Sequence, residues 1–288
     1  MQDKKFLIVG TVKNCSKTLL NTVNCIDKAF SKTLKYQFFL VESDSNDNTL
    51  EILRNLKNKR KDFHFESCGF LKYRLPNRTE RIAYCRNKYL NYLFKNSIYK
   101  WVDYLVVADF DGVCSSLNER NFSSCWEYDG WDVMTSNNKG LYYDIYALRH
   151  DIWSPNNCWE YKKALIEIGY NHFEAERQAV KGRMIKINPK AKLIKVNSAF
   201  GGLAIYKKIA ISRNAFYKGR DNNGQLICEH VIFNNFITSI GGNIYINPKL
   251  IIGESPKEHV LGDNNLFIIL KKFLLILKSE LKKLFNSN

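Results

Sequence analysis

Short apolar runs alternate with helix-period segments through the first third of the chain, and that alternation narrows the fold more than any other feature. Residues 6–9, 36–41 and 104–108 are mostly apolar and too short for helices, so they are expected as buried strands, with 64–67 as a further one. Leu19, Leu20, Val23 and Ile26 recur at helical spacing after Ser16 or Thr18 as a cap. Leu50, Ile52, Leu53 and Leu56 do the same after Asp47 or Asn48. Residues 79–94 read as a longer helix whose apolar side carries Ile82, Ala83, Tyr89, Leu90 and Leu93. Strands separated by helices need crossover connections, which give a mainly parallel sheet flanked by helices.

In such sheets ligands bind outside the carboxyl ends of the strands. Polar clusters follow three of these strands: Thr11, Lys13 and Asn14; residues 42–47, with Glu42 and Asp44; and Asp109 with Asp111. They are expected to converge. The third cluster is the most informative, because side chains alternate along an extended chain and its two carboxylates can point the same way. Paired carboxylates repel unless a cation lies between them. Oxygen ligands of this kind suit Mg2+ or Mn2+ shared with substrate phosphates.

Past Gly112 the chain becomes rich in aromatics. Residues 132–135 and 144–148 are expected as strands and 158–168 as a helix. Runs 192–196 and 203–206 flank a loop whose Gly201 and Gly202 allow close backbone approach to a ligand. A helix over 229–240 and a strand over 244–252 follow. With no repeats and no linker composition, residues 1–262 are expected as one domain with halves 1–112 and 113–262, followed by a tail, 263–288.

The 44 Lys and Arg exceed the 28 Asp and Glu, a net charge of +16 that predicts attraction to something anionic. Eight cysteines without a C-x-x-C pair, and a start that leads directly into a strand, are expected of a cytosolic protein with reduced thiols. In the tail, Lys271, Lys272, Lys278, Lys282 and Lys283 share one arc of a helix over 266–285, and apolar residues fill the rest. Lysines at its middle argue against a span, so the tail reads as an amphipathic helix lying in an anionic membrane surface. That places the chain peripherally on the inner face of the cell membrane. No nucleic-acid partner is expected.

Taken together, these residues resemble the nucleotide-sugar glycosyltransferases of the GT-A fold, over residues 6–260. The resemblance implies an α/β domain with a Rossmann-like, mainly parallel central sheet, followed by the C-terminal amphipathic helix. The segment with Glu42 and Asp44 is similar to the family's acidic loop, which holds base and ribose, and Thr11, Lys13 and Asn14 would hold the same donor. Arg81, Ala83, Arg86 and Asn87 resemble its basic helix flanking the nucleotide. Asp109-Phe110-Asp111 matches the D-x-D metal motif, which implies that Asp111 ligates the ion and Asp109 reaches it or the ribose. Gly201 and Gly202 are placed like the glycine loop, Cys228-Glu229-His230 like the x-E-D motif, and His259 like the late histidine that completes metal binding. Since His230 stands where an aspartate is usual, Glu229 or His230 takes the proton, or no base is needed because configuration is retained. Tyr143 and Asp144 are the expected donor- or acceptor-sugar contacts. Residues 143–149, 201–206 and 228–231 look similar to the capsular α-1,3-mannosyltransferase group and its bacterial relatives.

The implied reaction moves a hexose from a UDP- or GDP-sugar to a hydroxyl of a surface glycan or glycolipid, with Mn2+ or Mg2+ as cofactor. Two alternatives remain. Residues 106–113 also resemble the nucleophile loop of haloacid-dehalogenase-like phosphatases, where that loop follows the first strand. A non-enzymatic, basic membrane-binding protein would explain the charge but leaves carboxylates after buried strands without a reason.

Overall fold

In the computed structural model, which describes residues 3–211 and 214–261, one eight-stranded sheet organises the chain. The strands are β1 (Lys5–Val12), β2 (Lys35–Glu42), β3 (Phe63–Ser67), β4 (Tyr104–Ala108), β5 (Val133–Asn137), β6 (Ile194–Val196), β7 (Leu203–Lys207) and β8 (Ile244–Ile251). Their order across the sheet is β3-β2-β1-β4-β7-β5-β8-β6. The pairs β1–β2, β1–β4, β2–β3 and β5–β8 are parallel, whereas β7 runs antiparallel to both β4 and β5, and β6 to β8.

Period-two alternation builds the layers. Phe6, Ile8, Val106 and Ala108 face one side and pack with α1 (Leu19–Phe30) and α2 (Thr49–Lys59). Leu7, Val9, Leu105 and Val107 face the other and pack with α3 (Arg78–Lys95). Both faces are buried, which is why these strands read as apolar runs. Each of these side chains larger than Ala108 contributes about 1.5–3 kcal/mol by leaving water. Leu20, expected on the buried face of α1, is 49% exposed: the helix turns it to solvent beside the apolar stripe of Leu19, Val23 and Ile26.

The second half adds α4 (Glu119–Ser123), α5 (Cys158–Glu167), α6 (His172–Ala179), α7 (Glu229–Ser239) and α8 (Lys257–Leu261). Asn118, Asn157 and Asn171 start α4, α5 and α6 by accepting backbone N–H bonds on their side chains. The strand expected over 144–148 is absent. Asp144 instead accepts the backbone N–H of Ala147 (3.4 Å) and of Gly201 (3.0 Å), and this half-buried carboxylate closes a turn where the alternating sequence suggested extension. All eight cysteines are free thiols. The tail over 263–288, with its expected helix, lies outside the described residues. No helix among those residues is long and apolar enough to cross a membrane.

Candidate functional site

The loops after β1, β2 and β4 lock into one another at the carboxyl edge. Asn14 donates its N–H to Ser45 Oγ (3.1 Å), and its Oδ1 accepts the N–H of Asn46 (2.9 Å). Cys15 N–H reaches Thr49 Oγ1 (2.7 Å) and Ser16 N–H reaches Asp47 Oδ2 (3.1 Å). From the start of α1, Thr18 Oγ1 donates to the Phe110 carbonyl (2.9 Å). Around this junction opens a cleft of about 680 Å3 whose lining includes Thr11, Lys13, Asp44, Arg81, Arg86 and Asp109. Asp111, Tyr143, Asp144, Glu229, His230 and His259 line it as well. Asn14, Glu42, Gly201 and Gly202 are not part of that lining.

The turn that follows β4 sets the centre. Phe110 turns into the core, 1% exposed, while Asp109 and Asp111 on either side of it face the cleft. Gly10 makes room for this: a Cβ there would meet the Ala108 carbonyl at 2.5 Å and the Phe110 ring at 2.6 Å. Behind Asp109, its N–H donates to the Gly202 carbonyl (2.9 Å). Gly202, at φ +98°, is packed against Val113, Ile252 and Tyr143, so its freedom serves the support of Asp109 from behind. Gly201, at φ +71°, gives its N–H to Asp144.

Asp109 keeps 29% of its side-chain surface toward the cleft but is otherwise enclosed. Burial, then the Asp111 charge, push its carboxyl up to about 8, against the pull of Arg86. Burial likewise raises Asp144, against its backbone hydrogen bonds. A site that makes its own carboxylates costly to ionise is chemically suited to a cation. No three His, Cys, Asp or Glu side chains among the described residues converge tightly enough to hold an ion alone. The residues therefore fit Mg2+ or Mn2+ only in the sharing mode, with two carboxylates on one side and substrate phosphates and water on the other. His259 lines the same cleft and lies 5.4 Å from the Tyr143 ring, without joining such a cluster.

The α3 face toward the cleft carries Arg78, Arg81 and Arg86. Two of them are engaged by the protein. Arg81 donates to the carbonyls of Leu75 (2.8 Å) and Pro76 (2.6 Å) and lies 3.5 Å from Asp44 Oδ2. Asp44 itself holds φ +61° and accepts the N–H of Lys72 (2.9 Å). Arg86 is buried, paired with Glu229 at 2.9 Å and 3.8 Å from Asp109, so it couples two acidic groups of the site. Lys13 and Arg78 are exposed and have no ion-pair partner among the described residues. Arg78 was not singled out from sequence; only its spacing from Arg81 and Arg86 on one helix stripe could have found it.

Glu42 is buried beneath the β2 loop, accepting the N–H of Ser45 (2.9 Å) and the Ser67 hydroxyl. His230 is 2% exposed, stacked on Phe200 at 3.9 Å, and neither ring nitrogen has a hydrogen-bond partner. Burial, then the Arg86 charge, hold it well below its ordinary pKa, so it is a neutral imidazole. Glu229 Oε2 meets only the Cys228 thiol, at 3.8 Å.

No protein-family model matches the chain, and no curated protein does either. Among solved structures, S. aureus TarS 1-349 in complex with UDP-GlcNAc aligns at a TM-score of 0.51 and 13% identity, covering 90% of this chain. The full S. aureus TarS gives 0.51 at 12% identity over 89% of it. The fold is of the GT-A type. A mannosyltransferase from Pyrobaculum calidifontis, in complex with GDP-Man and Mn2+, aligns at 0.47 and 13% identity over 88% of this chain and 58% of its own. The chain spans 61% of the TarS 1-349 structure and 38% of full TarS. The carboxyl-edge cleft lies at the topological switch between β1 and β4, where the strand order reverses and ligands of α/β sheets bind.

Proposed function

We propose that the chain is a glycosyltransferase that moves a hexose from a nucleoside-diphosphate sugar to an acceptor hydroxyl. One observation carries the reading: Asp109 and Asp111 face a single cleft together with unpaired cations, Lys13 and Arg78, and the acidic β2 loop. Carboxylates for an ion, cations for phosphates and an acceptor loop for base and ribose are the complement of such a donor. TarS, on the same fold, is seen with UDP-GlcNAc, which supports this donor class.

Thr11, Lys13 and Arg78 bind and orient the diphosphate, and Asp44, fixed by Arg81, meets the nucleoside. Asp109 and Asp111 would hold Mn2+ or Mg2+, which would supply charge neutralisation for the departing diphosphate. The sugar–phosphate bond breaks with its electrons leaving on the diphosphate, and the acceptor oxygen bonds to the freed anomeric carbon. Its proton goes to Glu229 Oε2, the carboxylate oxygen that Arg86 leaves open. His230, neutral and enclosed, shapes the wall beneath it. The acceptor is a surface glycan or glycolipid, which the lysine-rich tail reaches by lying on an anionic membrane. Local likeness to the capsular α-1,3-mannosyltransferase group supports a hexosyl donor.

A donor screen tests this: purified protein, Mn2+ and a panel of UDP- and GDP-sugars, with diphosphate release measured. Turnover that is lost in Asp111→Asn, with an unchanged circular dichroism spectrum, is expected. Equal turnover in that variant would refute the proposal.

A further inference from the structure

Tyr146 and Trp159 line the same cleft, yet neither belongs to the acidic centre nor to the arginine stripe of α3. Trp159 keeps 44% of its surface open, and it is the only exposed one of the five tryptophans. Its position is built. It stands in the first turn of α5, where Asn157 Oδ1 accepts its backbone N–H (3.1 Å) and Asn157 Nδ2 donates to the Leu226 carbonyl (3.2 Å). Lys162 Nζ lies 5.4 Å from the indole centroid and is itself held by Glu176 at 2.6 Å. The Tyr146 ring stands 6.5 Å away at 70°, so the two rings form an angled corner. A pyranose ring has one face of C–H groups and a rim of hydroxyls. The C–H face suits the negative face of an indole, and the carboxylates of Asp144 and Glu176 on the cleft wall suit the rim.

The corner's neighbours decide which sugar it serves. Asn157, which seats Trp159, also bonds the Leu226 carbonyl three residues before Glu229, and Tyr146 lines the same cleft as that carboxylate, the group that takes the acceptor proton. The groups assigned to the nucleotide come from β1, β2 and α3, whereas Tyr146 and Trp159 come from the second half of the chain. We propose that Trp159 and Tyr146 form the acceptor platform, on which a pyranoside ring stacks with the hydroxyl to be glycosylated turned toward Glu229. This inference rests on the glycosyltransferase reading.

The test has two arms. In the first, methyl α- and β-hexopyranosides are titrated into the full chain while tryptophan fluorescence is followed, with sorbitol as an acyclic control. A saturable shift with a pyranoside and none with sorbitol is expected, and isothermal calorimetry, which needs no fluorophore at the site, is expected to find that binding lost in Trp159→Ala and kept in Trp159→Phe. No response in the wild type across the solubility range of the glycosides would overturn the platform, as would an unchanged response in Trp159→Ala. In the second arm, Trp159→Ala is compared with wild type for nucleotide-sugar hydrolysis and for transfer to the responding glycoside. The acceptor KM is expected to rise about tenfold, as the loss of a stacking contact implies, with donor KM in hydrolysis unchanged. A matching rise in donor KM would assign the platform to the donor instead and overturn the inference. Glycosides that shift the fluorescence of a protein turning over no nucleotide sugar would sink the transferase reading and leave the ring-stacking site standing. Unchanged melting temperatures in both variants exclude a folding defect.

Discussion

Replacing Arg86 by methionine is the sharpest test of how the site is held together. The pair it forms with Glu229 is 2.9 Å long, with side chains only 4% and 7% exposed. Burial alone would lower the guanidinium's pKa, but Tyr89, Glu229, Tyr217 and Asp109 outweigh it and hold the group well above its ordinary value. At an effective dielectric constant of about 20, two charges at that distance attract by ~6 kcal/mol, most of which offsets their loss of water. Arg86→Met therefore removes little net attraction but strands the Glu229 carboxylate, whose other neighbours are the Cys228 thiol and the neutral His230 at 3.7 Å. An unpaired buried charge of this kind costs about 3–5 kcal/mol. For a chain of this size that is a fall in Tm of roughly 5–8 °C. Urea denaturation followed by circular dichroism measures it. The double variant Arg86→Met with Glu229→Leu is expected to return within about 1 kcal/mol of wild type, because an apolar pair of similar size needs no compensation. A single variant losing under about 1 kcal/mol, or a double variant as unstable as the two singles combined, would refute the reasoning.

Asp109 at about 8 keeps a proton in the folded chain that the unfolded chain has already released above ~4, so stability falls as pH rises between those values. Asp109→Asn, which cannot charge, is expected to raise the Tm of the EDTA-treated protein more at pH 8.5 than at pH 5 in differential scanning fluorimetry, and an equal gain at both would contradict the assignment. For the tail, flotation with liposomes containing anionic lipid is expected to carry the whole chain upward and to fail without residues 264–288; unchanged partition after truncation would end the membrane proposal.

Much of the framework of the first half was legible because its signals are local. Apolar runs gave β1, β2 and β4, and helical spacing gave α1, α2 and α3, whereas Asp109 and Asp111 reach the cleft from the turn after β4 and not from an extended strand. Where the reading failed, a half-buried polar group had overridden the pattern. Asp144 turned an alternating segment into a turn, and Gly201 and Gly202 serve Asp144 and Asp109 from behind the cleft. The antiparallel insertion of β7 between β4 and β5 also left no mark in the sequence, since an apolar run carries no direction.

By itself, the amino-acid order determined which segments are strands and helices and which strand tips carry charge. Only the tertiary structure decided how those charges are spent. It turned Arg81 and Arg86 into internal braces, left Lys13 and Arg78 open, and set Trp159 in the same cleft. The reason is one of range. Periodicity records which face of an element meets the core, whereas the partner of a charged side chain is chosen across long stretches of chain, as when Arg86 finds Glu229 143 residues away.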